Sequence, residues 1–279
     1  IRDSSSIFPT YLVSKIASRH SKVVLSADGA DELFAGYDKY RKFNLYEVIV
    51  RSFCGINSFG LEYDLFGNKI SKHNRISRFI EYCKASNGLE RFDILTRGLT
   101  EYELSRIFVN ELNFIDNVDI YKLCGYNSLS TILKFDLHTY LPNDILYKVD
   151  RSTMYNSIEG RVPFLDHNLV EYAFTVDAKY KISPFKGKVV LRALLGDYIP
   201  SKLMINKKKG FTMPIERWCR TLHRERFMDI LLSKTSIDQF FGLEVVNDLC
   251  RDFEANKPGF EFNRIWRLFI LKNWVHRHG

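Results

Sequence analysis

The apolar positions of this chain fall mostly at helical spacing, and one short run near the start departs from it. Val23, Val24 and Leu25 are consecutive and apolar, which predicts a fully buried strand. The run stops at Ser26 to Gly29, where small residues and a glycine permit a tight turn. Asp31, Glu32, Leu33 and Phe34 then start a helix, with Asp28 as the N-cap candidate. Upstream, Pro9 to His20 predicts a helix, because Pro9 suits a first-turn position and Leu12, Val13, Ile16 and Ala17 share a face. Helix, short link and strand make the second half of a parallel β-α-β crossover, so the first strand is expected before Ile1. A strand that ends in a small-residue turn and enters a helix is where open α/β sheets bind ligands.

After Tyr37 the strand signal nearly vanishes. Lys39 to about Cys54 has helical spacing, with Phe43, Tyr46, Ile49, Val50 and Phe53 on one face. Residues 58–71 read as irregular, and helical spacing returns over 75–85, 89–95 and 100–108. Ser128 to Tyr140 predicts a strong helix through Leu129, Ile132, Leu133, Leu137 and Tyr140. Further helices are expected over 169–176, 188–195, 223–232 and 245–253, and Phe262 to Val275 closes the chain as a buried helix. No internal repeat or low-complexity linker appears. The expected architecture is α/β: a small parallel-sheet remnant over residues 1–40, then a mainly helical lobe over 41–279.

The 279 residues are 46% hydrophobic and 27% charged, ordinary for a folded domain. A net charge of +8 permits an anionic partner such as a nucleotide without selecting one. Cys54, Cys83, Cys124, Cys219 and Cys250 are scattered, with no metal-ligand spacing and no disulfide framework, which fits a reducing cytoplasm. No apolar run is long enough to span a bilayer, and Ile1 to Ser6 lacks a signal-peptide core. The expectation is a cytoplasmic protein with no membrane and no nucleic-acid partner. With no initiator methionine, the chain reads as a fragment.

Asp28, Asp31 and Glu32 place three carboxylates within five positions. Either they cap and solvate a helix start, or one of them holds magnesium, which takes oxygen ligands and keeps phosphates as partners. In Tyr140 to Arg151, Lys148, Asp150 and Arg151 stand among residues that read as buried. They form either a structural ion-pair network or direct ligand contacts. In Ile158 to His167, Glu159 and Arg161 flank a glycine, Pro163 and Asp166 mark a turn, and His167 reads as a helix-start residue. Lys207, Lys208 and Lys209 precede Gly210 and Phe211: a solvated face, or a loop folded over phosphate.

Together these stretches resemble the carboxyl-terminal part of a glutamine-hydrolysing asparagine synthetase of the bacterial type. That family reads S-G-D-G-G-D-E-L-F-G-G-Y where this chain has Ser26 to Tyr37, and Y-L-P-D-D-I-L-x-K-V-D-R at Tyr140 to Arg151. It reads L-E-A-R-V-P-F-L-D-H at Ile158 to His167 and R-P-K-x-G-F-x-x-P-I at Asn206 to Ile215. The motifs come in family order, and Asp3-Ser4-Ser5 and Pro9 to Leu12 match as well.

The resemblance implies the sheet of a PP-loop ATPase-like synthetase domain and a two-step ligase. ATP activates the side-chain carboxylate of aspartate as an acyl-adenylate. Ammonia released from glutamine then attacks it. The glutaminase domain and the S-G-G-x-D-S pyrophosphate loop are not in the sequence. By the same resemblance, Asp28 is the base that takes the proton from the attacking nitrogen. Asp31 is the acid near magnesium and pyrophosphate. Lys208 stabilises charge on the departing pyrophosphate. Ser26 and Gly29 shape the pocket, and Glu32, Asp150, Arg151, Glu159 and Arg161 are second-line candidates. A homodimer is an expectation for the full-length protein only.

Departures from the family pattern bear on specificity. Asp28 stands where asparagine-forming members often carry a glutamate, which leaves another acid, such as a uronic acid, open as substrate. Ala27, Ala30 and Ala35 replace glycines, so a positive φ there would be strained. Asn206 and Lys207 replace the usual arginine and proline. A non-catalytic lobe that binds an anionic partner is the alternative from a different class.

Overall fold

The computed structural model describes residues 6–53, 74–97, 128–204, 213–240, 242–258 and 260–278. The irregular stretch at 58–71, the helix at 100–108 and the tri-lysine run with Lys208 lie outside them.

Helix α1 (Ile7–Ala17) leads into β1 (Val23–Leu25), and α2 (Ala30–Leu33) is a single turn. Helices α3 (Asp38–Phe53), α4 (Asn74–Lys84), α5 (Gly88–Arg97) and α6 (Leu129–His138) follow. A π-helical segment, Leu141–Leu146, joins α6 to α7 (Tyr147–Tyr155). Then come β2 (Glu159–Arg161), a 3-10 turn at Pro163–Leu165, α8 (His167–Thr175), α9 (Ala178–Lys181) and α10 (Val189–Gly196). The last helices are α11 (Ile215–Arg220), α12 (Arg224–Leu232), α13 (Leu243–Glu254) and α14 (Phe262–His278). No helix among the described residues is long and apolar enough to cross a membrane.

The described residues form two compact units. One holds residues 6–96 and 128–204; the other holds Arg97 and the residues from 213 onward. In the first, α3, α4, α5 and α6 enclose a core of Tyr40, Phe43, Tyr82, Phe92, Ile132 and Leu133. Tyr40 stacks on Phe92 with centroids 6.1 Å apart. The buried Glu47 is paid for in that core by Arg91 at 3.1 Å and by the Tyr82 hydroxyl, which donates to it at 3.0 Å.

Strands β1 and β2 pair in parallel, with Val23 opposite Glu159 and Leu25 opposite Arg161. The sequence gives no strand pattern at Glu159-Gly160-Arg161, and the reason for a strand there is packing. A Cβ on Gly160 would lie 3.2 Å from Thr153 Cγ2, so α7 seats directly on that face. Side chains alternate across a strand, so Val23, Leu25, Glu159 and Arg161 share the opposite face. That arrangement corrects the expectation of a fully buried β1: Val23 is 38% and Leu25 73% exposed.

Helix α6 begins as its sequence dictates, with the Ser128 side chain accepting from the Thr131 amide at 3.2 Å. Pro142 has no N–H for the helical ladder, and the turn containing it widens to a π-helix before α7 resumes.

In the second unit, Phe227, Leu231, Phe253 and Ile265 form the centre of the core. Helix α14 is buried on one side only: Ile265, Leu268, Lys272 and Val275 face inward while Trp274 is 48% exposed. Lys272 lies inside this unit, donating to the Leu231 carbonyl at 2.7 Å and pairing with Asp238 at 2.9 Å.

Candidate functional site

The carboxyl end of β1 builds the site. The Ser26 amide still pairs with β2, donating to the Arg161 carbonyl at 2.8 Å. The chain then turns at Gly29, whose φ of 88° is a left-handed conformation that side chains disfavour. A Cβ there would also meet Leu165 Cδ2 at 2.4 Å, so that side chain would have to shift. The turn at Pro163–Leu165 therefore lies against the turn at Ser26 to Gly29, and two motifs distant in sequence become one wall.

This geometry corrects the capping expectation. Gly29 is the N-cap of α2, and Asp28 caps nothing. The Asp28 carboxylate turns back instead and accepts a short hydrogen bond from the Ser26 hydroxyl. Asp31 and Glu32 are in the first turn of α2 but face different surroundings. Glu32 is 1% exposed and accepts from the Tyr37 hydroxyl at 2.8 Å. Burial raises the Glu32 pKa, and the Tyr37 hydrogen bond offsets part of that rise.

Asp31 is partly exposed and pairs with Lys188 Nζ at 3.0 Å. Two glycines make that approach feasible. A Cβ on Gly36 would fall 1.7 Å from Asp31 Oδ1, and one on Gly187 would fall 2.2 Å from the Ala35 carbonyl oxygen. Lys188 itself has a φ of 55°, and its amide donates to the Phe34 carbonyl at 3.0 Å. Sequence reasoning named Lys188 only as the start of a helix. A signal was present: a cation at a helix N-cap opposes the macrodipole and supplies no acceptor to the free amides.

The second-line residues divide. Glu159 and Arg161 pair at 2.8 Å on the exposed face of β2, beside the end of β1. Each steadies the other's charge: Arg161 lowers the Glu159 pKa, and Glu159 raises that of Arg161. The apolar neighbours Leu141, Ile145 and Val149 are buried as expected, but Asp150 and Arg151 themselves are exposed on α7. The Arg151 guanidinium lies 5.2 Å over the Tyr147 ring, and Lys148 donates to the Ser6 hydroxyl at 2.9 Å. His167 opens α8 as expected, behind an Asp166 that accepts from the Asn168 and Leu169 amides at 3.0 and 3.4 Å. Those bonds, with that to Leu169 foremost, hold the Asp166 carboxyl below its ordinary pKa.

Ser26, Asp28, Gly29 and Asp31 thus gather at the carboxyl ends of a parallel strand pair, with the Asp31–Lys188 pair beside them. Among the described residues no group of three histidines, cysteines or carboxylates could enclose a metal. A magnesium ion bound chiefly by phosphates and water needs only one or two carboxylates, and Asp31 fits that donor set.

Known proteins resemble this chain over about three quarters of its length or more. It is 28% identical to glutamine-hydrolyzing asparagine synthetase 1 of Bacillus subtilis over 288 residues, covering 95% of this chain and 42% of that protein. It is 25% identical to the amidase chyE of Penicillium rubens over 234 residues, covering 74% of this chain and 34% of the relative. The amidase chry2 of Gibberella zeae is 23% identical over 91% of this chain and 41% of its own length. The chain thus spans less than half the length of each of these relatives. The family model for asparagine synthase matches residues 2–276, and the chain belongs to that family.

Proposed function

We propose that this chain is the synthetase part of an ATP-dependent amide-forming ligase of the glutamine-hydrolysing asparagine synthase type. Its two strands are read as the remnant of a PP-loop ATPase-like parallel sheet. The substrates are ATP, aspartate and ammonia drawn from glutamine. In the first step an oxygen of the aspartate side-chain carboxylate attacks the α-phosphorus of ATP, and pyrophosphate leaves. Ammonia then attacks the acyl carbon, the bond to AMP breaks, and the nitrogen sheds a proton to Asp28.

Ser26 orients the Asp28 carboxylate through its hydroxyl. Asp31 would hold magnesium, which when bound neutralises phosphate charge. By its match to the family motif, Lys208 would stabilise charge on the departing pyrophosphate. Gly29 lets the wall at Leu165 close on the turn. The observation that carries this reading is the gathering of Ser26, Asp28 and Asp31 at the carboxyl ends of β1 and β2, where parallel sheets bind ligands.

A second reading keeps the chemistry and changes the acid. Aspartate at position 28 is one methylene shorter than the glutamate that asparagine-forming members often carry, and its carboxylate is drawn back toward Ser26. Both features suit a different carboxylate, such as a sugar uronic acid. The test is AMP release by the protein at its relatives' full length, with ATP, magnesium, ammonia and one candidate acid at a time. Release with aspartate supports asparagine formation. Release with another acid alone supports the second reading. No release with any acid overturns the ligase and leaves a non-catalytic binding lobe.

A further inference from the structure

We propose that Tyr37 is a positioning residue that sets the Asp31 carboxylate by anchoring the neighbouring Glu32. The proposal rests on the reading above for what Asp31 is positioned to do. Asp31 to Tyr37 form a short loop closed at several points. The Gly36 amide donates to the Asp31 carbonyl at 2.9 Å, and the Tyr37 hydroxyl donates to Glu32 Oε1 at 2.8 Å. From outside, the Lys188 amide fixes the Phe34 carbonyl at 3.0 Å, and its ammonium meets Asp31 at 3.0 Å.

The tyrosine is itself held by the core. Its ring lies 5.7 Å from Tyr40 and 5.9 Å, edge-on, from Tyr140. The Lys39 ammonium stands 5.3 Å over the Tyr37 ring and pairs with the buried Asp136 at 2.6 Å. Tyr40 donates to the same Asp136 at 2.5 Å. The Tyr37 hydroxyl is therefore fixed by aromatic packing, and Glu32 is fixed by that hydroxyl. Glu32 and Asp31 are consecutive on a single helical turn, so fixing one side chain constrains the backbone that presents the other.

A stabilising role alone does not account for Glu32. Its Oε2 is buried without a hydrogen-bond partner among the described residues. A half-satisfied buried carboxyl is costlier than an apolar side chain of similar size. The cost is explained if the acid serves to hold the register of the turn that presents Asp31.

Tyr37→Phe keeps the ring and removes only the hydroxyl. In the full-length protein it should raise the magnesium concentration for half-maximal AMP release about three- to tenfold, the worth of one hydrogen bond, with turnover at saturating magnesium changed less than about twofold. Glu32→Leu removes the acceptor from the other side and should give the same shift, including where Tyr37→Phe fails to fold. Glu32→Gln retains an acceptor and should stay within about twofold of the native protein. A crystal structure of Tyr37→Phe should have Asp31 and Lys188 out of ion-pair reach. An intact pair in that crystal, or an unchanged magnesium requirement, overturns the proposal. If the native protein releases no AMP, the ligase reading falls, and the crystal alone decides the positioning role.

Discussion

Gly29 and Leu165 meet so closely that a single added methyl would overlap: a Cβ on the glycine would lie 2.4 Å from Leu165 Cδ2 and 2.9 Å from its Cγ. These residues belong to stretches that are unrelated by spacing and share no local pattern. Their contact is what turns two polar motifs into one wall. It also ties the shape of that wall to a backbone conformation that only glycine adopts without strain.

Gly29→Ala should therefore destabilise the first unit for two separable reasons. Left-handed φ costs an alanine about 1–2 kcal/mol, and the overlap with Leu165 adds a packing cost on the order of 1 kcal/mol. Urea denaturation midpoints should fall accordingly. Adding Leu165→Ala to Gly29→Ala should recover the packing part and leave the conformational part, a coupling readable from a double-mutant cycle. Strict additivity of the two substitutions would refute the contact as described.

Positive φ at residues other than glycine gives a second test, and burial decides its sign. Ala35 and Ser157 both have a φ of 55°. At exposed Ser157, relief of about 1–2 kcal/mol of strain exceeds the extra chain entropy of glycine, so Ser157→Gly should stabilise by about 0.5–1 kcal/mol. At Ala35, 1% exposed, the same change also removes a buried methyl worth about 0.8 kcal/mol, and the sum is near zero. Thermal melts of the two variants should separate, with Ser157→Gly higher.

The sequence made the helices legible because their apolar residues recur at helical spacing, as Phe43, Tyr46 and Val50 do in α3 and Leu129, Ile132 and Leu133 in α6. Strand β1 was legible as an apolar run, but its exposure was not, since a run of apolar residues does not reveal which face is covered. Glu159-Gly160-Arg161 has no strand pattern, and it is a strand because Gly160 admits α7 at close range. The acids at Asp28, Asp31 and Glu32 were legible as a cluster. Their division into a hydroxyl-bonded, an ion-paired and a buried carboxyl depends on Ser26, Lys188 and Tyr37, and the contact with Lys188 is set by tertiary packing.

Lys181 supplies a pH test. It is 2% exposed, its ammonium lies 5.0 Å over the Phe174 ring, and burial pulls its pKa down from 10.5 to about 8. Between those two pH values the unfolded chain keeps a proton that the folded protein has released, so this group makes stability rise with pH across that window. Below pH 8 the full penalty of a buried charge applies. Lys181→Met should thus be more stable than the native protein at pH 7, and the advantage should shrink by pH 10. Urea midpoints for the pair at both values check the sign, and a constant difference would mean that Lys181 does not titrate in that window.

In the second unit, Lys272 and Asp238 test a buried pair whose partners are unequally covered. The lysine side chain is 3% exposed and the aspartate 17%, at 2.9 Å. Burial pushes the Asp238 pKa up, but the Thr235 amide and Lys272 outweigh it and hold the carboxyl below its usual 3.8. A depressed carboxyl contributes stability that is present above pH 3.8 and lost as pH falls through the folded value. Lys272→Met keeps the side-chain length but removes the cation from Asp238 and the donor from the Leu231 carbonyl. At pH 7 it should cost about 3 kcal/mol, the lower end for breaking a buried pair because Asp238 retains some access to water. The cost should shrink below pH 3.8, where protonation leaves no charge to orphan, and Lys272→Met with Asp238→Asn should lose less at pH 7 than Lys272→Met alone. Guanidinium midpoints for the native protein and both variants at pH 7 and pH 3 measure this, and a loss that is the same at both pH values would show that the ion pair contributes nothing beyond packing.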